Sequence, residues 1–559
     1  MFFNIKSLTF AFRLFSVIAL IVFGIFGLLG SNEGSTPKTT PPNSNYVVFL
    51  ADKDTDGTTE LYVYSLQTQG VTKLNGALIP GGNVTSFSIS PDRSAVAYVA
   101  DQDTVGRYEL YVAKSDGSSV IKVSNSTVNL SSIVEDDPVW APDSSRIAYL
   151  STESNRGSGV FVLRTVQPNG NNNVIVNPVG VGAGVVIANS FTWAQDSSRI
   201  AYLSNQDDTN KAELYTSAAD SAIDNKKVNG VLPTSGNVTE YGWAPDSSKI
   251  AYRADQSGAG IYELWTSTPT GGYNTRVSDS YQGNGGKVRE YSFAWAPDSS
   301  RIAYIAADSL TEIFQLYTVL PDGNNRLPVS ATVTHPGSDV IGTLAWSPNS
   351  SRIAYVADLN SDDVFELFTS QPTVATASTR VSGTLQGGGV ITGPFSDSPP
   401  AWSPDSTTIA YIAQQNTPGV NEVYVGKANG TGTVKVSGNL TVNNSVSLGE
   451  YSEVWAPDGS RLMYMADQLD QNTQDLFTTI PTGSANIAQI TRTPVQNTSL
   501  KSFGKWAPDS SYIAYVSAQN SADVDELYMA SPNGSSNKNI SGPLVLGGDV
   551  DSVLFEWAP

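Results

Sequence analysis

Short apolar runs alternate with polar turns along the chain from Tyr46 onward. In Tyr291-Ser292-Phe293-Ala294-Trp295 apolar and polar positions follow a period of two, which predicts a half-buried strand. A Pro-Asp-Ser-Ser turn comes next. Proline presets the first central turn position, and Asp and Ser hydrogen-bond the local backbone. A second strand follows, as in Arg199-Ile200-Ala201-Tyr202-Leu203, then an acidic loop such as Asp101-Gln102-Asp103-Thr104-Val105-Gly106. Glu109-Leu110-Tyr111-Val112 and Ile121-Lys122-Val123-Ser124 read as third and fourth strands.

The pattern is itself periodic. The phrase from Trp140 to Tyr149 (WAPDSSRIAY) has variants starting at Trp193, Trp243, Trp295, Trp346, Trp402, Trp455 and Trp506. An earlier copy has Ile89 in the Trp position, and a last one stops at Trp557-Ala558-Pro559. The spacing is 50 to 56 residues, and every complete copy has a tyrosine nine residues after the Trp position, from Tyr98 to Tyr515. Four antiparallel strands per repeat is the sequence form of a β-propeller blade. A lone blade cannot bury both faces of its sheet, whereas stacked blades can, so the repeated Trp, Tyr, Ile and Leu are assigned to an inter-blade core.

Trp140-Ala141-Pro142-Asp143 with Ile147-Ala148-Tyr149, and Trp402-Ser403-Pro404-Asp405 with Ile409-Ala410-Tyr411, resemble the TolB-type propeller repeat, a relative of the WD-repeat. The resemblance covers residues 46–559 and implies an all-β propeller in the bacterial envelope. This chain departs from the family pattern in having more repeats and no room for the N-terminal α/β domain. Tyr46 to Asp52 matches the second strand of a unit, and Ser552 to Pro559 a first strand alone. Together they make one blade, which would close a ring and remove its open edges. Nine complete units and one shared unit predict ten blades; two five-bladed propellers are the alternative.

The first 45 residues read differently. Lys6 and Arg13 are the only charges in residues 1–30, and Leu14 to Gly30 is an uncharged, mostly apolar run. This is the form of an export signal or an N-terminal membrane anchor. Leu28-Leu29-Gly30-Ser31 resembles a lipoprotein signal with Ser31 where the lipidated Cys must stand. Residues 31–45, rich in Pro, Ser and Thr, read as a flexible linker. The expected location is periplasmic or extracellular, with contact to a membrane only through residues 1–30 if they are retained.

Composition narrows the function. The 559 residues include 52 acidic and 32 basic ones, a net charge of −20, which argues against nucleic-acid binding. The chain has no Cys and a single His, His335, so disulfides, thiolate metal sites and multi-His sites are excluded. No Gly-x-Ser-x-Gly, phosphate loop or His-Glu-x-x-His is present, and one His in a variable connection makes a Ser-His-Asp triad improbable. The chain is therefore expected not to be an enzyme. The Asp after each Pro (Asp143, Asp246, Asp298, Asp405, Asp458, Asp509) is assigned to turn structure.

The acidic loops carry the remaining candidate chemistry. Asp52-Lys53-Asp54-Thr55-Asp56-Gly57 alternates oxygen ligands before a turn glycine, as a calcium loop does, and Glu60 follows. Asp101, Asp103 and Glu109 repeat part of it, as do Asn205, Asp207 and Glu213, and Asp358, Asn360, Asp362 and Glu366. Two readings stand: Asx-turn chemistry in a hairpin, or calcium held by Asp52, Asp54, Asp56, Asp101 and Asp103. Otherwise no cofactor is expected. Because strands alternate in direction, these loops share one face of the ring with the inter-blade connections, and that face is expected to be electronegative. The function expected is an exported scaffold, without catalysis, that binds a protein or an envelope polymer through one face. The alternative is a propeller that binds or cleaves polysaccharide with carboxylates near the central channel.

Overall fold

A computed structural model describes residues 46–124, 134–152, 161–177, 185–281, 287–307, 313–331, 339–361, 363–386, 400–442, 444, 446–449, 453–469, 473–491, 500–521 and 524–559. The readings of residues 1–45, of His335 and of Asp362 fall outside these segments. Among the described residues no helix is long and apolar enough to cross a membrane.

The described strands form ten four-stranded antiparallel sheets. Nine follow chain order and are numbered here as blades 2 to 10: residues 84–122, 134–175, 192–227, 238–276, 287–328, 340–380, 401–435, 446–489 and 505–539. Blade 1 combines Tyr46–Ala51, Glu60–Ser65 and Gly70–Lys73 with Val550–Trp557, so its first strand comes from the far end of the sequence. Val47 lies opposite Trp557 and Phe49 opposite Phe555. First strands of neighbouring blades approach one another, as 84–89 does 134–140 and 238–243 does 287–295. First strands therefore surround the axis and fourth strands form the rim.

The period-two pattern decides which interface each side chain fills. In the second strand of blade 2, Val96, Tyr98 and Ala100 pack with blade 1, while Ala95, Ala97 and Val99 pack with blade 3. The same division holds round the ring, giving ten apolar clusters, each shared by two adjacent blades. Blades 10 and 1 share one such core, in which Phe555 and Trp557 lie against Ala514, Val516 and Leu527. One ten-bladed ring is thereby closed. The long interval between Trp346 and Trp402 marks no break, because blades 7 and 8 share a core across it.

Polar bonds repeat at the same interfaces. Eight of the nine Trp at the repeat position donate their indole N–H to the carbonyl just before the Trp position of the preceding blade. Examples are Trp140 to Ser88 (3.1 Å), Trp295 to Gly242 (3.0 Å), Trp402 to Ala345 (3.0 Å) and Trp557 to Lys505 (2.8 Å). Ile89 has no such donor. The Trp506 indole N–H is buried and finds no partner among the described residues. It faces blade 9, whose first strand is reduced to Val446–Ser447 and an isolated bridge between Trp455 and Leu462. We expect Trp295→Phe to cost about 1 kcal/mol more than Trp506→Phe, since only the first loses a hydrogen bond. Denaturant unfolding of the two variants checks this, and equal losses would contradict it.

The Pro-Asp-Ser-Ser turns form a second ring of bonds. The Asp carboxylate accepts the N–H two residues on, as in Ser145 to Asp143 (2.9 Å). The Asp N–H donates to a Ser hydroxyl in the next blade: Asp143 to Ser197 (3.0 Å), Asp246 to Ser299 (2.9 Å), Asp458 to Ser510 (3.0 Å). These serines hold left-handed backbone (φ near 60°), a cost the repeated inter-blade bond offsets. Against the opposing effect of partial burial, the Ser145 and Ser197 hydrogen bonds keep the Asp143 carboxyl below its ordinary range. The turn acids are thus structural, as the sequence pattern suggests.

Candidate functional site

The acidic loops resolve into two kinds of carboxylate. The first Asp is a double backbone acceptor. Asp101 is 3% exposed and receives N–H groups from Asn83 (2.5 Å) and Gly106 (2.8 Å). Asp255 does the same with Asn237 (2.6 Å) and Gly260 (2.9 Å). Asp52 accepts from Gly57 (3.0 Å) and from Asp549 across the shared blade. Glycine is needed at 57, 106 and 260 because φ there is +73° to +79°. This acid closes its own loop and fastens it to the start of the blade's first strand.

The third and ninth positions of the pattern do converge, around a lysine. Lys73 lies directly opposite Tyr62 and contacts Asp54 (2.7 Å) and Glu60 (2.7 Å). Lys122 takes the same place between Asp103 (3.0 Å) and Glu109, and Lys227 between Asp207 (3.5 Å) and Glu213. The hydrogen bond from Lys73 is the main reason the Asp54 carboxyl sits below its ordinary range. In blades 5 and 7 arginines pair with the buried acid: Arg276 with Glu263 (3.2 Å) and Arg380 with Glu366 (2.8 Å). Asp56 is exposed and stands apart from these pairs. Among the described residues no three acidic side chains are grouped as a metal site.

One place close to that face, where a second strand meets the first strands that surround the axis, departs from the repeat. The residue after the conserved Tyr or Phe of the second strand is Leu50, Val99, Leu150, Leu203, Ile305, Val356, Ile412, Met465 or Val516, but in blade 5 it is Arg253. Arg253 is 5% exposed and lies in register with Glu240, 3.7 Å away, where blade 2 has Ser86 opposite Val99. Its guanidinium stacks on Tyr262 (4.1 Å) and donates to Thr239 (2.8 Å) and, in blade 6, to the Val288 carbonyl (2.9 Å). Glu240 in turn accepts the Tyr291 N–H of blade 6 (3.1 Å). The first strand of blade 6 bulges between Val288 and Phe293, and there Glu290 and Tyr291 are exposed, with Tyr291 at φ +52°. The pattern anticipated a regular strand at 291–295; the observed strand starts at Lys287 and is interrupted. Comparison of the ten repeats position by position was the signal that would have singled out Arg253.

Burial pushes the Glu240 carboxyl up to about 7, against the pull of Arg253 and the Tyr291 N–H and with added repulsion from Glu290. The sign follows from proton uptake. With a folded-state value above the ordinary 4.5, the folded protein binds the extra proton between the two values. Stability therefore rises as pH falls from about 7 toward 4.5, by about 3 kcal/mol at most. We expect the wild-type melting temperature to increase by a few degrees between pH 8 and pH 5, and Glu240→Gln to lose that increase. A Glu240→Gln profile parallel to wild type would place the titration elsewhere.

The face as a whole is acidic. Among the described residues, the ten loops joining second to third strands hold twelve acidic and three basic residues, and Lys73, Lys122 and Lys227 of the fourth strands offset three of those acids. Exposed apolar side chains punctuate it: Ile79, Val231, Val442 and Leu546 in inter-blade connections, and Val105 and Leu469 in the loops themselves.

A family model, the lipoprotein LpqB β-propeller domain, matches residues 62–162. Solved structures similar to this chain include an oligogalacturonate lyase from Vibrio parahaemolyticus at 11% identity, covering 69% of this chain and 98% of that one, with a TM-score of 0.34. A putative TolB from Agrobacterium tumefaciens is 15% identical over 51% of this chain and 88% of its own, with a TM-score of 0.26. Dipeptidyl peptidase 4 from Porphyromonas gingivalis is 12% identical over 65% and 55%, with a TM-score of 0.41. No curated protein matches the chain. The chain is a repeat β-propeller, and these structural likenesses bear on its fold alone. At the level of fold, and no further, they correct the expectation that the chain is not an enzyme. Similar propeller structures include a lyase and a peptidase, so a chain of this fold without a familiar catalytic motif is not thereby excluded from catalysis.

Proposed function

We propose that this propeller works at the cell envelope and docks a protein partner on the face that carries its acidic loops. The observation that carries the reading is the combination of an excess of carboxylates with exposed apolar side chains on that one face. A partner surface with basic and apolar residues is complementary to both. An anionic bilayer is not, because its charge has the same sign. The lipoprotein propeller model over residues 62–162 supports the envelope setting.

The test uses the full chain and a basic amphipathic peptide of Leu, Lys and Arg, with an acidic peptide of the same length as control. Binding of the basic peptide alone, weakening steeply between 50 and 500 mM salt, is expected. Val231→Ser with Leu546→Ser should weaken it, and Tyr273→Ser with Val374→Ser, in turns of the opposite face, should not. Equal binding of the two peptides, or equal effects of the two variant pairs, would overturn the reading. Catalysis is tested apart from binding: turnover of a polysaccharide, abolished by Glu240→Gln or Glu290→Gln, would place an active site on the same face.

A further inference from the structure

We propose that the break in the repeat between blades 5 and 6 is the anchor of that face, where a lysine or arginine side chain of the partner lies over Tyr291 beside Glu290, and that Arg253 and Glu240 are the brace that presents it. The inference rests on the docking reading above and names the residues on which docking turns.

The nine other blades act as internal controls. They build the same interface with an apolar residue in place of Arg253, so the fold does not require a charge there. Blade 2 carries the equivalent register pair as Ser86 and Val99, both buried. Burying Arg253 and most of Glu240 instead is costly unless every bond is made. The bonds are made, and two of them run across the interface to one short segment of blade 6: Arg253 to the Val288 carbonyl and the Tyr291 N–H to Glu240. Arg289 repeats the device one interface on, donating to the Val340 carbonyl (3.1 Å) and stacking over Phe314 (4.4 Å). The segment between is therefore gripped from both sides.

What the grip presents is chemically specific. Tyr291 is 67% exposed, and Glu290 next to it is exposed as well. An aromatic face beside a carboxylate binds a cation through the ring quadrupole and through charge together. The buried guanidinium of Arg253 is occupied by Thr239, Val288 and Tyr262. It does not compete for the incoming cation but holds Glu240, and through it the Tyr291 backbone.

The experiment measures affinity of the full chain for the basic peptide by fluorescence anisotropy at 50 mM salt. Three variants are compared with wild type. Arg253→Val with Glu240→Ser installs the blade 2 pair, so the fold is retained; we expect an unchanged or raised melting temperature and at least tenfold weaker binding. Tyr291→Gly suits φ +52° and should fold as well as wild type, with a similar loss of binding. Tyr291→Phe keeps the ring and should bind within about twofold of wild type. If wild type binds and both the pair swap and Tyr291→Gly bind equally well, the anchor is wrong and the docking face stands. If wild type does not distinguish basic from acidic peptide, the docking face itself is wrong. If Tyr291→Phe loses as much as Tyr291→Gly, recognition runs through the hydroxyl and the cation–aromatic assignment fails.

Discussion

Removal of residues 551–559 is expected to open the ring and leave a protein that self-associates and melts more than about 5 °C lower. The deleted strand supplies Phe555 and Trp557 to the core between blades 10 and 1, and Ala558 to the core between blades 1 and 2. Loss of two such buried aromatics costs roughly 6 kcal/mol or more, before the indole bond to Lys505 is counted. The strand Tyr46–Ala51, now flanked on both sides, would expose one edge and template pairing with another chain. Light scattering after gel filtration reads the association and calorimetry the melting. A synthetic peptide of residues 550–559 added in trans should restore the monomer by refilling the vacated edge. A truncated protein that stays monomeric at an unchanged melting temperature would mean that blade 1 is not what closes the ring.

The ring was legible in the sequence because each blade obeys a period-two pattern and ten copies reinforce one another. Val99 and Ala100, adjacent in sequence, face opposite interfaces, and alternation alone assigns them. The shared blade was legible for a related reason: 46–52 matches the second strand of a unit and 552–559 the first strand that is missing before it. The candidate site was less so. The acidic pattern drew attention to Asp54 and Glu60, but the group between them, Lys73, lies on the fourth strand and arrives through the pairing of Tyr62 with Lys73. Sequence separation hides such a partner until strand register is known. Tyr291 was hidden differently. Its exposure depends on a bulge that interrupts alternation, and the bulge is held by Arg253 and Glu240 of the neighbouring blade. Contacts between blades are not periodic in the sequence, so only a comparison among repeats exposes the residues that make them.

The lysine at the centre of the acidic pattern leads to the last expectation. Lys73→Met keeps an apolar stem opposite Tyr62 and removes the ammonium, with its 5.8 Å contact to the Tyr62 ring. Glu60, whose side chain is 9% exposed, then loses its cation and keeps only the Tyr62 hydroxyl, while Asp54 loses its partner as well. Breaking a buried pair from one side costs about 3–5 kcal/mol, and the 35% exposure of Lys73 brings the expected loss to about 2 kcal/mol. The same variant asks whether these carboxylates can hold an ion. Two acids are now unpaired where an ammonium stood, and calcium, which accepts irregular oxygen geometry, suits them better than magnesium. Binding to the folded state alone at a hundredfold excess over Kd would return about 2.7 kcal/mol, comparable to the loss. We therefore expect millimolar calcium to raise the melting temperature of Lys73→Met more than that of wild type, with magnesium weaker. The further change Asp54→Asn should remove the response. If calcium stabilises wild type and Lys73→Met equally, the ion does not sit between Asp54 and Glu60, and Asp52 and Asp56 of the same loop, then Asp101 and Asp103 of the next, are the positions to substitute. If neither responds, the acids at 54 and 60 serve their lysine alone.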